Sequence, residues 1–394
     1  MNLKALKQAD YWIGSVLAIL FTPVVWAAHK LLRRDHTPEI RGQLVVVKIL
    51  GGGSLLIALP ALLALRDRYP DRRLTLLCSP AVKKFAELTG VFDDYAVIST
   101  DRLGRFLLSC LHVARMVFRA DTIINFEMHS KLTSVFCLLT LARNRIGLTL
   151  SWNQWQNNLS THSLFYNDSA PIYLAYAQIA RLLGGQVPSM EEAARRFRAH
   201  NGLETPRPVP AEFPRPVLAL APYCSDLVPE REFKDAEWAS LIRRSHPEAA
   251  GSLLILGGPA ERERAARSQD ALAAALPGWR VVSLAGQESL AGSARWLTGV
   301  DELLTIDSGV NHIARLLQVP ITSYWGPTEP YRRLAPFTER ARETVVYRKC
   351  FCAPCVHTMD TAPCRGNNIC MQQHLAPQDG RAAEAGWVIR GESS

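Results

Sequence analysis

A chain of 394 residues, 48% of them hydrophobic and 21% charged, has enough apolar surface for two α/β domains with separate cores, and this composition excludes a disordered or repeat protein. Lysine and arginine total 45 against 36 acidic residues, a formal charge of +9 that suits anionic partners such as nucleotide diphosphates or acidic lipid. The basic excess is spread along the chain without a zinc finger or basic helical motif, so nucleic acid is not an expected partner.

Tyr11 to Ala28 carries no charge and is bounded by Lys4 and Lys7 on one side and by Lys30, Arg33 and Arg34 on the other. Its length is at the lower limit for crossing a bilayer, which takes roughly 20 apolar residues. Trp12 and Trp26 stand near its ends, where interfacial aromatics belong, and Pro23 predicts a kink. Residues 1–36 therefore read as a membrane-anchoring segment, lying in the interface or barely spanning, with the rest of the chain in the cytoplasm. A cleavable signal peptide fits poorly because the run leads into basic residues. The alternative is a helix packed on the protein's own surface.

Residues 43–204 are expected to form the first Rossmann-like domain. Leu44 to Leu50 is a continuous apolar strand of the buried parallel type, followed by Gly51-Gly52-Gly53-Ser54 and an amphipathic helix from Leu55 to Tyr69. Ser54 reads locally as a helix N-cap. Strand, glycine loop and helix make a nucleotide-type unit, but G-x-G-x-x-G is missing, as is a Tyr-x-x-x-Lys pair, which argues against a dehydrogenase or an epimerase. Strands follow at Leu74 to Cys78 and Asp94 to Ile98, then a helix from Arg102 to Phe118 and a strand from Thr122 to Phe126 that ends at Glu127. The polar, aromatic-rich stretch Trp152 to Asp168 reads as an acceptor-side loop.

Five prolines between Thr205 and Pro216 predict a stiff linker at 205–216. Alternation restarts behind it, giving a second domain at 217–375 and a tail at 376–394. Its strands are expected at Val217 to Ala221, Ser252 to Leu256, Arg280 to Ser283, Leu303 to Ile306 and Ile321 to Trp325. Asp307-Ser308-Gly309 breaks the fourth of these into a helix from Val310 to Leu317. Free N–H groups there, at the positive end of the helix dipole, with a hydroxyl and a glycine that permits close approach, suit a phosphate or pyrophosphate; His312 lies one turn on. The plainer reading is a strand-to-helix turn with Asp307 as N-cap.

Several segments together resemble glycosyltransferase family 9, the ADP-heptose:lipopolysaccharide heptosyltransferases. They are R-x-F-x-x-x-x-W at Arg231 to Trp238, L-G-G-x-x-E at Leu256 to Glu261, L-x-G-x-x-S-L at Leu284 to Leu290, D-S-G-x-x-H-x-A at Asp307 to Ala314 and G-P-T-x-P at Gly326 to Pro330. The first half is similar too, in Lys48 to Leu62, Asn125-Phe-Glu127 and Arg145-Ile-Gly147. The resemblance implies a GT-B fold, two Rossmann-like doubly wound domains facing across a cleft, with an ADP-heptose-like nucleotide-sugar donor on the second domain and a lipid-linked glycan acceptor facing the first. Transfer would be inverting and metal-independent, so protein charges and hydrogen bonds must stabilise the leaving diphosphate. It further implies Asp307, Ser308 and Gly309 on the diphosphate sugar, Arg231 in place of a phosphate-pairing lysine, Ser225 near a phosphate-contacting threonine and Glu261 on the ribose.

One position departs from the family. Where it has a catalytic aspartate after the glycine loop, this chain has Ser54, whose unactivated hydroxyl cannot accept a proton at neutral pH. Either another carboxylate, with Glu127 as the candidate base, reaches the acceptor, or the protein is a catalytically silent binder of nucleotide sugar or glycolipid. Cys350, Cys352, Cys355, Cys364 and Cys370 would suffice for a zinc site or a labile disulfide. A loop of reduced thiols is the preferred reading, and no metal or cofactor is expected.

Overall fold

Strands that are apolar along their whole length need cover on both faces, and a parallel sheet sandwiched between helices provides it. The computed structural model describes residues 3–99, 102–151, 153–224, 228–247, 250–338, 343–356, 359, 362, 364–376 and 386–390. They form two units, Met1–Ser189 and Met190–Ser394.

The first unit runs α1 (Leu3–Leu31), β1 (Leu44–Lys48), α2 (Gly53–Ile57), α3 (Leu59–Arg68), β2 (Leu74–Cys78), α4 (Pro80–Thr89), β3 (Asp94–Val97), α5 (Leu103–Val117), β4 (Thr122–Asn125), α6 (Lys131–Leu139), β5 (Asn144–Thr149), β6 (His162–Phe165) and α7 (Ile172–Leu182). Its six strands are parallel in the order β3-β2-β1-β4-β5-β6. The order reverses between β1 and β4, so loops leaving the C-terminal ends of these two strands diverge and leave a crevice. The apolar α1 is long enough to cross a membrane by length and composition. One side of it packs on α6, with Leu17, Phe21 and Val25 against Val135, Leu138 and Leu159.

The second unit runs α8 (Met190–Asn201), β7 (Val217–Ala221), α9 (Asp235–Ser245), β8 (Ser252–Ile255), α10 (Arg262–Ala275), β9 (Arg280–Ser283), α11 (Leu290–Leu297), β10 (Glu302–Ile306), α12 (Gly309–Leu317), β11 (Ile321–Trp325), α13 (Pro330–Arg333), β12 (Glu343–Arg348), α14 (Ile369–Gln372) and β13 (Gly386–Arg390). The sheet order β13-β12-β11-β10-β7-β8-β9 repeats the same winding, with an antiparallel β13 added at the edge. Here the reversal falls between β7 and β10.

Five expectations change. The units divide at Ser189/Met190 rather than in the proline stretch, because α8 packs on α12 and Arg198 Nη1 donates to the Leu316 carbonyl at 2.9 Å. The helix expected over Leu55 to Tyr69 is two helices, since Pro60 lacks an N–H and is accommodated in the first turn of a new one. Gly52, not Ser54, is the N-cap of α2, and Ser308, not Asp307, is that of α12. The stretch read as a loop contains β6, an edge strand whose residues alternate between half-buried and exposed and therefore lack a continuous apolar signal.

A buried ion pair fixes α12. Arg315 Nε lies 3.1 Å from Glu343 Oε1, and Nη2 donates to the Ala335 carbonyl at 2.7 Å. Glu343→Ala leaves that guanidinium buried without its counter-charge and should lower second-domain stability by about 3–5 kcal/mol in urea unfolding. Arg315→Met combined with Glu343→Leu should recover most of the loss.

Candidate functional site

In the second domain, the two strands flanking the reversal carry the residues singled out in the sequence. Past β7 the chain reaches Arg231 in a short turn, and Arg231 reaches back to the end of β10. Its Nη1 donates to the Asp307 carbonyl at 2.8 Å and to carboxylate Oδ2 at 3.1 Å. Thr305 strengthens the same junction by donating to the Ala221 carbonyl at 3.1 Å. Burial alone would raise the Asp307 carboxyl, but Arg231 and then Arg333 outweigh it and hold it below its ordinary value. Burial likewise opposes the Arg231 charge, and Asp307 reverses the effect.

Asp307 is buried and its carboxylate is paired with the Arg231 guanidinium, so the pair is held together at the end of β10. The groups open to a ligand are its neighbours. Ser308, Gly309 and Val310 are half-buried at the first turn of α12. The Ser308 hydroxyl accepts from the Asn311 amide at 3.4 Å and lies 3.3 Å from Thr305 Oγ1. His312 is buried, its Nε2 4.0 Å from Asp307 Oδ1 and without a hydrogen bond. Burial pushes the imidazole down to about 3, so at neutral pH His312 is a neutral donor or acceptor and supplies no positive charge. Glu261 ends the turn after β8, and its Oε2 accepts from the Gly258 amide at 2.7 Å. Ser225 lies outside the described residues.

Two further residues were not singled out in the sequence. Arg333, at the end of α13, acts electrostatically on both Asp307 and His312, and its Nε has no hydrogen-bond partner. Asn311 is fully buried with both side-chain amide atoms unpartnered. An asparagine on the apolar face of a helix was a legible anomaly, since a buried amide without partners is unfavourable unless a ligand or water completes it. Two guanidinium groups against one carboxylate leave the site cationic, and the helix dipole adds to that field.

The cysteine-rich segment props this loop from behind. A Cβ on Gly326 would meet Met371 Sδ at 2.6 Å and Cys370 Sγ at 3.0 Å, so a side chain there would have to displace the buried Met371. Asn368 Nδ2 donates to the Glu230 and Glu232 carbonyls at 3.0 and 2.9 Å, on either side of Arg231. Burial pushes the Cys370 thiol up to about 12, helped by the four neighbouring cysteines. Cys350 and Cys352 sulfurs lie 3.7 Å apart.

In the first domain the corresponding crevice is bridged as well. Glu127, just past β4, accepts on Oε1 from the Ile49 and Leu50 amides at 2.7 and 2.8 Å, and Lys48 Nζ lies 3.3 Å from the same oxygen. Asn125 Oδ1 in turn accepts from the Glu127 amide at 2.9 Å. Glu127 thus clamps the glycine loop. Ser54, buried in the first turn of α2, follows Gly51, whose φ of +73° suits glycine.

The family model for glycosyltransferase family 9 (heptosyltransferase) matches residues 160–365. The chain belongs to that family. Lipopolysaccharide heptosyltransferase 1 of Pseudomonas aeruginosa is 37% identical over 100 residues, which is 25% of this chain and 26% of that relative. The curated match therefore spans about a quarter of the relative's length. Among solved structures, Escherichia coli ADP-heptose lipopolysaccharide heptosyltransferase II has a TM-score of 0.57 at 15% identity, covering 85% of this chain and 100% of that one. An Escherichia coli heptosyltransferase with ADP-2-deoxy-2-fluoro heptose also has a TM-score of 0.57 at 15% identity, covering 84% and 98%. At such identities the likeness establishes the fold, a pair of doubly wound domains of the GT-B class.

Arg333→Ala should weaken ADP binding about ten- to a hundredfold by calorimetry, the effect of losing one charge-assisted hydrogen bond, without lowering the melting temperature. Arg231→Ala should lower both, because Asp307 is then buried unpaired. A second expectation concerns acid. The folded pKa of His312 is about 3 and that of His374 about 4, against 6.5 for either unfolded. The unfolded chain takes up protons first, so their stabilisation is complete above pH 6.5 and is lost as pH falls toward those values. Melting scans from pH 7 to 4 should show a falling midpoint and a shallower fall in His312→Asn.

Proposed function

We propose that the protein is a glycosyltransferase taking an ADP-heptose-type sugar nucleotide as donor and a lipid-linked glycan of the lipopolysaccharide core, or a related envelope glycan, as acceptor, at the cytoplasmic face of the inner membrane. The observation that carries this reading is the cationic first turn of α12, with Arg231 and Arg333 beside unpartnered buried polar atoms at the strand reversal of the second domain. A diphosphate satisfies the free N–H groups of the helix and Ser308, and both guanidinium groups stabilise its growing charge as the sugar departs. Glu261, close to the same sheet edge, suits a ribose hydroxyl. The donor class is supported by family membership and by the fold relative solved with ADP-2-deoxy-2-fluoro heptose. Transfer without metal is part of the reading, because the arginines and the helix terminus supply the positive charge the leaving group needs, and inversion is carried over from the family resemblance.

The general base decides between this reading and a silent binder. The silent form is favoured by one observation: Glu127 already engages two amides and an ammonium through Oε1, and Ser54 cannot replace it. Glutamine at 127 keeps an oxygen for both amides but no basic carboxylate. In a transfer assay with lipid extracts, an active enzyme using Glu127 as base should lose about 10²- to 10⁴-fold in turnover in Glu127→Gln, with ADP affinity unchanged. Turnover that survives the change makes Glu127 a clamp only. A wild type that binds donor but transfers nothing until Ser54→Asp is introduced establishes the silent binder.

A further inference from the structure

The first domain carries an apolar surface that its own core does not use. On α5, Val113 and Val117 pack into the core beside β1, β2 and β4, yet Leu107, Leu108 and Leu111 on the other side are 54%, 69% and 60% exposed. A helix apolar on both sides is unfavourable in water unless something covers it. Among its charges, residues 102–119 hold Arg102, Arg105, Arg115 and Arg119 and no acidic residue. The adjacent α6 packs in the same cluster through Cys137, and α1 packs on α6, so all three helices lie on one face of the sheet. Outward on α1, Trp12, Ile19 and Trp26 are 69%, 76% and 66% exposed.

The inner side of α1 is tied down along its length. Near its start the Asp10 carboxylate caps α6, accepting from the Ser130 hydroxyl at 2.7 Å and from the Lys131 and Leu132 amides at 2.9 and 3.0 Å. Lys131 Nζ donates to the Ser15 hydroxyl at 2.7 Å. Toward its end His29 Nε2 lies 3.1 Å from Arg145 Nη1, and Arg34, just beyond, donates to the Leu141 carbonyl. Crossing a bilayer would strip these polar groups of their partners. Where α1 and α5 both terminate, a cleft of about 340 Å³ is lined by Arg34, Arg119 and Arg143, with Asp121. Arg143 is paired with Asp121 at 2.7 Å and with Asp35 at 2.9 Å, which leaves the cleft a net cationic mouth.

We propose that this face seats the first domain in one leaflet of an anionic bilayer, with α1 lying in the interface plane, α5 inserted beside it, and the Arg34, Arg119 and Arg143 cleft holding a lipid phosphate. Apolar surface supplies the insertion and arginines select the headgroup. The proposal rests on the membrane placement offered above and adds an orientation and a lipid class to it.

The test uses the full chain, diluted from detergent onto sealed vesicles of phosphatidylcholine with or without phosphatidylglycerol, and read by flotation. Leu107→Asp with Leu108→Asp, and separately Arg119→Ser, should each reduce partition onto phosphatidylglycerol vesicles at least tenfold with unchanged melting temperature. A tag at the N-terminus should remain open to added protease. Wild-type partition in both variants, or a protected tag, overturns the proposal. Inorganic phosphate that raises the melting temperature without vesicles, an effect lost in Arg119→Ser, would assign the cleft to a soluble anion and overturn the lipid assignment. ADP calorimetry on the same proteins tests the donor site separately, so failure of one reading is distinguishable from failure of the other.

Discussion

Each domain depends on a carboxylate placed at the end of one strand beside the sheet's reversal and engaged by the chain leaving the other. In the second domain the carboxylate is Asp307 and its partner is Arg231; in the first it is Glu127, engaged by Lys48 and the amides of Ile49 and Leu50. Diverging loops at such a reversal leave backbone N–H groups that neither neighbour can satisfy, and that opening is what gives doubly wound sheets their binding sites. A charged contact spans the gap in each domain.

The two domains then diverge in what they hold open. Behind Asp307 the helix start is half-buried and flanked by guanidinium groups, with polar atoms lacking partners, which is an arrangement prepared for an anion. Behind Glu127 the loop itself takes the carboxylate. Ser54 sits in the turn where the resemblance to the family places a catalytic aspartate.

Much of the architecture was legible because buried parallel strands announce themselves as unbroken apolar runs. Leu74–Cys78 and Val217–Ala221, buried along their whole length, fall where the sequence puts them. The edge strand at His162–Phe165 did not announce itself, since only every second residue is partly covered. The unit boundary was missed for a different reason. Prolines mark stiffness, whereas the packing of α8 on α12 decides which unit the chain joins. At the site, the D-S-G turn was visible as a pattern, but which of its residues faces outward depends on Arg231 arriving from 76 positions away. Arg333 stayed hidden because it occupies no named position of a motif, whereas Asn311 was legible only as a polar residue on the apolar face of its helix.

The proposed donor site places the diphosphate on the first turn of α12. Hydrogen–deuterium exchange with and without saturating ADP tests this at single-amide resolution. Slowed exchange at the amides of Gly309, Val310 and Asn311, with the glycine loop at 51–54 unchanged, is the predicted result. Protection confined to that glycine loop, with α12 exchanging as in the free protein, would contradict it.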